Sequence, residues 1–185
     1  MTKRRDVLGG VPLPGPGEAA TERSLPTALR VTGATGTNVA GGEIGTVNVR
    51  VEKVDGAGEI DLTAVTADWT VTDASYDLAA HSGTTSAEGY FGIRPARATV
   101  ADETLSGQNE RHELVFDLGD DDTDEDDPQE RDGATYFGDP LTQNDVVSLR
   151  LRTGGGATTN VRLLVPNYVP QREDGVALTV ESVDS

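Results

Sequence analysis

The chain has 185 residues, no cysteine, and 32 acidic against 15 basic residues, for a net charge of −17. Without thiols there are no disulfides, thiolate metal sites or thiol catalysis. The acidity speaks against nucleic acid and anionic membranes as partners, because phosphate binding needs clustered Lys and Arg.

The length favours one domain with some chain left over. Residues 1–27 are rich in Pro, Gly and charge and predict a disordered tail. Within it, Thr2-Lys3-Arg4-Arg5-Asp6 looks like the positive n-region of an export signal. The following Val7-Leu8-Gly9-Gly10-Val11-Pro12-Leu13-Pro14 is short and broken by proline, so it lacks the apolar run of an export signal. No stretch approaches the roughly 18–20 apolar residues that span a bilayer.

Strand signals begin at Leu29 and define a β-domain over 28–183. Val47, Val49 and Val51 alternate with Asn48 and Arg50, the period of two that marks a half-buried strand. Asp55-Gly56-Ala57-Gly58 is a turn. Ile60 to Val71 is the next strand region, with Val65, Ala67, Trp69 and Val71 pointing inward and Trp69, the single tryptophan, packing in the core. Ser75 to Ala80 predicts a short strand, and Gly89 to Val100 two short strands around Pro95. His112 to Leu118 is a strand with Leu114, Phe116 and Leu118 inward.

Gly119 to Pro140 is an acidic insertion (119–140). Val147, Leu149 and Leu151, then Val161, Leu163 and Val165, form a hairpin around Gly154-Gly155-Gly156. Val176 to Val180 is the last strand. Short strands, polar loops and no helical periodicity predict an all-β sandwich or barrel.

The base composition points to a concentrated-salt environment. Lys3 and Lys53 are the only lysines, the other thirteen bases being arginine, while Asp and Glu abound. Salt screens the self-repulsion that such acidity creates.

Candidate chemistry is sparse. The run Asp120-Asp121-Asp122-Thr123-Asp124-Glu125-Asp126-Asp127 reads either as a Ca²⁺ or Mg²⁺ site or as a solvated acidic loop. It does not fit an EF-hand loop, whose sixth position is glycine where this run has Glu125. His81 lies in a Ser/Gly/Thr loop, and His112 is expected on the surface between Arg111 and Glu113. No nucleophile elbow, zinc-protease or phosphate-loop motif occurs, so no catalytic residue, metal ligand or cofactor is assigned. Arg150, Arg152 and Arg162 lie on the polar face of one hairpin and form the one basic stripe read from the sequence. It is either a docking surface for a neighbouring subunit or ordinary cross-strand charge balance. No asparagine begins an N-x-[ST] sequon.

Four segments, taken in order, carry a family resemblance. They are Gly17 to Glu22 followed by Ala28 to Gly36; Val47 to Leu62 with its G-A-G-x-I-D-L turn, followed by Trp69; Asn109 to Leu118; and Leu141 to Asp145 with the hairpin Val147 to Pro166. Together they resemble the archaellins (archaeal flagellins), filament proteins of the archaeal motility organelle, in their halophilic branch. The resemblance implies an immunoglobulin-like β-sandwich outer domain, an extracellular place in the archaellum filament, other archaellin subunits as partners, and a structural rather than enzymatic role. It also implies a charged leader and a long apolar helix, which residues 1–16 do not contain. The expectation is that the gene carries that helix upstream. Two other readings compete: a different cell-surface β-sandwich, such as an S-layer or carbohydrate-binding module with an exposed aromatic platform, and a hydrolase with a histidine beside carboxylates in a deep pocket.

Overall fold

The computed structural model describes residues 28–97, 102–119 and 134–183. The predicted tail and the acidic run 120–127 therefore lie outside the described residues. The rest is all-β. Twelve strands follow one another: β1 (Leu29–Ala40), β2 (Glu43–Lys53), β3 (Ile60–Asp61), β4 (Thr66–Val71), β5 (Ala74–Ala80), β6 (Gly89–Pro95), β7 (Thr104–Leu105), β8 (His112–Asp117), β9 (Val146–Arg152), β10 (Thr158–Leu164), β11 (Arg172–Glu173) and β12 (Val176–Ser182).

Hydrogen bonding runs β1-β12-β10-β9-β4-β5-β6-β8-β2, and β2 pairs back onto β1, so nine strands close into a barrel. β11 extends β1 at Val39 and Ala40, and β3 with β7 makes a separate two-stranded ribbon. Closure matters because an open sheet edge is a template for unwanted pairing.

The resemblance implied two separate sheets, and two strands explain why the ladder is continuous instead. β6 pairs in parallel with β5 through Gly89–Phe91, then antiparallel with β8 through Gly92–Pro95. β12 pairs with β1 through Val176–Leu178, then with β10 through Thr179–Ser182. Each strand spends half its length on either side of a corner, the way packed sheets are joined when strands switch between them.

Alternation fills the interior. Val47, Val49 and Val51 of β2, Leu114 and Phe116 of β8, Val147, Leu149 and Leu151 of β9, and Val161 and Leu163 of β10 are all buried. At their centre Trp69 is 1% exposed, its ring 5.0 Å from that of Phe116 and 5.5 Å, edge-on, from that of Phe137. Phe91 stands 5.4 Å from Phe116 on the other side. Phe137 enters this cluster from the acidic insertion, anchored by its N–H to the Asp117 carbonyl at 3.1 Å.

The region Ile60 to Val71, read as one strand region, is interrupted by a 3-10 turn at Leu62–Ala64. Asp61 causes the break: its carboxylate accepts hydrogen bonds from the Thr63 N–H at 2.9 Å and the Thr63 hydroxyl at 2.7 Å. Short polar side chains offer the backbone this local alternative to a ladder. Gly89 to Pro95 is one strand; residues 98–100, which the second of the two strands expected around Pro95 would include, lie outside the described residues. β7 and β11, of two residues each, carry no alternation and were not anticipated.

Candidate subunit-contact surfaces

In β9 the inward phase of Val147, Leu149 and Leu151 forces Ser148, Arg150 and Arg152 outward, and all three are exposed. In β10 the same logic exposes Arg162. Register sets Arg150 opposite Asn160, and Arg162 opposite Ser148, so Arg162 is a diagonal neighbour of Arg150 on the same face. The three predicted arginines therefore share one outer surface. Each also has a balancing or polar neighbour. Arg150 lies 3.6 Å from Asp68 and donates from Nε to the Asn160 side-chain carbonyl at 3.3 Å. Arg162 stands in register with Glu181 of β12, and Arg152 with Thr158. A groove of about 520 Å³ crosses this face, lined among others by Asp68, Asp77, Arg150, Asn160 and Arg162.

This stripe is not the only basic surface. On the outer face of β1, β2, β8 and β6, Arg30 stands opposite Glu52, and Arg50 and Arg94 both stand opposite Glu113. Arg30 Nη2 lies 2.6 Å from Glu52 Oε1, and Arg111 Nε lies 3.1 Å from Glu52 Oε2. Arg50 Nη2 lies 2.9 Å from Glu113 Oε1, Arg94 Nε lies 3.8 Å from Glu113 Oε2, and Arg94 Nη2 also donates to the Asn48 side-chain Oδ1 at 2.8 Å. In these described ion pairs four guanidiniums share two carboxylates. The Arg30 guanidinium holds the Glu52 carboxyl below its ordinary range, with Arg111 adding to the effect and burial opposing it. Sequence reasoning missed this group because its members are scattered from position 30 to 111. Alternation in β2 did set Arg50 on the face opposite Val47, Val49 and Val51, but only register gathers all four.

The histidines sit apart. His112 is fully buried, against the expectation of a surface position; its Nε2 lies 2.8 Å from the Asp102 carbonyl oxygen. The reason was legible: His112 has the same parity as Leu114 and Phe116. His81 is exposed at the turn after β5 and lies edge-on to Tyr90 at 6.4 Å. Along β6, His81 bonds at Phe91 and His112 pairs at Pro95, four residues or about 13 Å away. Among the described residues, no group of three or more His, Asp or Glu could hold a metal.

The aromatic candidates for a sugar platform do not share an exposed face either. Trp69 and Phe91 are buried, Tyr76, Tyr90 and Tyr136 are partly buried, and only Tyr168, 68% exposed, stands free on a loop. Elsewhere Glu110 closes the loop before β8, accepting from the Ser106 and Gly107 N–H groups at 2.8 Å each. The Gly107 bond, then that of Ser106, pulls its carboxyl below the usual range against the opposing effect of burial.

Comparison with known proteins rests on structure, since no protein-family model and no curated protein sequence matches the chain. The crystal structure of archaeal flagellin FlaB1 from Methanocaldococcus jannaschii matches with a TM-score of 0.54 at 13% identity, over 83% of this chain and 97% of that one. The archaeal flagellum of Methanospirillum hungatei strain JF1 matches with a TM-score of 0.48 at 17% identity, over 83% of this chain and 71% of that one. The archaellum periplasmic stator protein complex FlaF and FlaG from Sulfolobus acidocaldarius matches with a TM-score of 0.44 at 15% identity, over 76% and 91%. On the first of these matches, the fold of the chain is an archaellin-like β domain.

Proposed function

We propose that the chain is a structural subunit of the archaellum, its β domain forming part of the outer surface of an extracellular filament that supports swimming. The observation that carries this reading is the fold, which spans 97% of the matching FlaB1 chain. The order of archaellin-like segments in the sequence supports it independently. The role is structural, not catalytic. Residues 28–183 are the outer domain, a variation on the immunoglobulin-like sandwich with both corners closed, and 119–140 is an acidic insertion within it. Other archaellin subunits are the partners, and Arg150, Arg152 and Arg162 contribute to a lateral contact. The acidic, lysine-poor composition fits a halophilic setting.

The test is direct. Filaments sheared from native cells, purified and digested, are expected to yield peptides from residues 29–183. Their absence, with the protein present in the cell fraction, would refute the reading.

A further inference from the structure

We propose that the barrel mouth beside the β4–β5 turn binds a small quaternary ammonium cation, held by the rings of Trp69 and Tyr76 and by the carboxylates of Asp73, Asp139 and Asp145. A cavity of about 200 Å³ opens there, where the turn at Thr72 and Asp73 meets residues 138–141 and 145–146. Register explains the aromatic lining. Trp69 of β4 stands directly opposite Tyr76 of β5, two pairs before the turn, and directly opposed residues share a face of the sheet. That face points into the barrel, so both rings reach its open end. Barrel mouths are a frequent place for ligand sites.

Burial orders the lining by depth. Trp69 and Leu141 are buried and form the floor, Tyr76 is half-buried and forms a wall, and Asp73 and Asp139 are exposed at the rim. Asp145 is half-buried, and its Oδ2 accepts from the Thr142 N–H at 2.7 Å and the Thr142 hydroxyl at 3.1 Å, which fixes that carboxylate. The Tyr76 ring is held as well. It lies 5.3 Å from the Phe137 ring, and the Gly138 backbone, at a φ of +61°, comes so close that a Cβ there would stand 3.2 Å from Tyr76 Cε2. No basic side chain lines the cavity, and among the described residues none of the three carboxylates takes part in an ion pair. The cavity therefore pairs an aromatic, apolar floor with a negative rim.

That pairing selects among cations. A divalent metal ion needs several oxygens in one coordination shell, and no described group of acids is close enough to supply them. A primary ammonium or a guanidinium carries N–H donors on every side, which an apolar floor leaves unpaired. A quaternary ammonium has no N–H. Its methyl groups pack on the rings and Leu141, and its charge is met by the ring faces and the rim carboxylates. At about 30 Å³ per water-sized group the cavity holds roughly six or seven such groups, the size of choline.

The test uses choline, its uncharged isostere 3,3-dimethylbutan-1-ol, and ammonium chloride, all at constant ionic strength. Equilibrium dialysis with labelled choline should show saturable binding of one choline per chain, half-complete at roughly millimolar concentration, the strength of a few contacts of this class. Trp69 is the only tryptophan and lies in the floor, so its fluorescence should change with the same midpoint. The neutral alcohol and ammonium should each bind at least about tenfold more weakly. Asp73→Asn with Asp139→Asn, both at exposed positions, should weaken choline binding about tenfold without lowering the melting temperature. Tyr76→Leu should weaken it to a similar degree, whereas Tyr76→Phe, which keeps the ring, should bind as the native chain does. Should Tyr76→Leu fail to fold, the Asn pair and the Tyr76→Phe protein still decide. No saturable choline binding, equal binding of the isostere or of ammonium, binding unchanged by the Asn pair, or binding that leaves Trp69 fluorescence unmoved would each overturn the proposal.

Discussion

Replacing Phe116 by alanine tests the packing argument most severely. Phe116 is fully buried near the end of β8, opposite Val47, with its ring 5.0 Å from that of Trp69 and 5.4 Å from that of Phe91. Truncation removes the transfer free energy of the ring and leaves a cavity, and Phe→Ala changes of this kind cost about 3–5 kcal/mol. The two ring contacts, worth roughly 0.5–1.5 kcal/mol each, are part of that loss. For a domain of this size each kcal/mol lowers the melting temperature by about 2–4 °C, so a fall of about 6–20 °C is expected. Trp69 is the only tryptophan and contacts the altered site, so its fluorescence reports unfolding directly. Tyr168→Ala, at a position 68% exposed, is the matched control and should change stability by less than about 0.5 kcal/mol. A Phe116→Ala shift no larger than the control's would refute the packed aromatic centre.

Gly83→Ala should destabilise by about 1–3 kcal/mol or more in chemical denaturation, because an added Cβ would stand 2.1 Å from the Thr63 carbonyl oxygen; Gly33→Ala, where a Cβ would meet nothing within 4 Å, is the internal comparison. Glu52 has a folded-state pKa below its unfolded value, so its contribution is present above the unfolded pKa and is lost as pH falls through the folded one. Melting temperatures from about pH 6 to pH 3 should therefore fall less in Glu52→Gln than in the native chain, and parallel curves would contradict the Arg30–Glu52–Arg111 arrangement. With a net charge of −17, the melting temperature should rise from about 0.1 M to about 3 M salt as screening shortens the reach of self-repulsion, and a flat response would remove the halophilic argument.

Much of the fold was legible because alternation is a local signal. Val47-Val49-Val51, Leu114-Phe116 and Val147-Leu149-Leu151 declare their inward faces without reference to any partner, and all are buried. The glycine-linked hairpin of β9 and β10 was equally plain, since its turn is local, with the Gly156 N–H on the Thr153 carbonyl at 2.9 Å. Where local signals were weak, the reading faltered. β1 runs for twelve residues through Thr32-Gly33-Ala34-Thr35-Gly36 with a register shift at Gly33, and its length follows from pairing with β2, not from alternation. The interruption at Leu62–Ala64 turns on one aspartate side chain.

By itself, the sequence determined that the domain is all-β, that it is strongly acidic, that Trp69 is a core residue, and that Arg150, Arg152 and Arg162 point outward together. These are properties of neighbours along the chain. Tertiary structure alone decided that β6 and β12 turn two sheets into one ring, that Phe137 from the acidic insertion completes the aromatic core, and that four arginines far apart in sequence meet on one face. These depend on register between distant strands, and a strand's own residues fix which side faces inward without fixing which strand lies beside it.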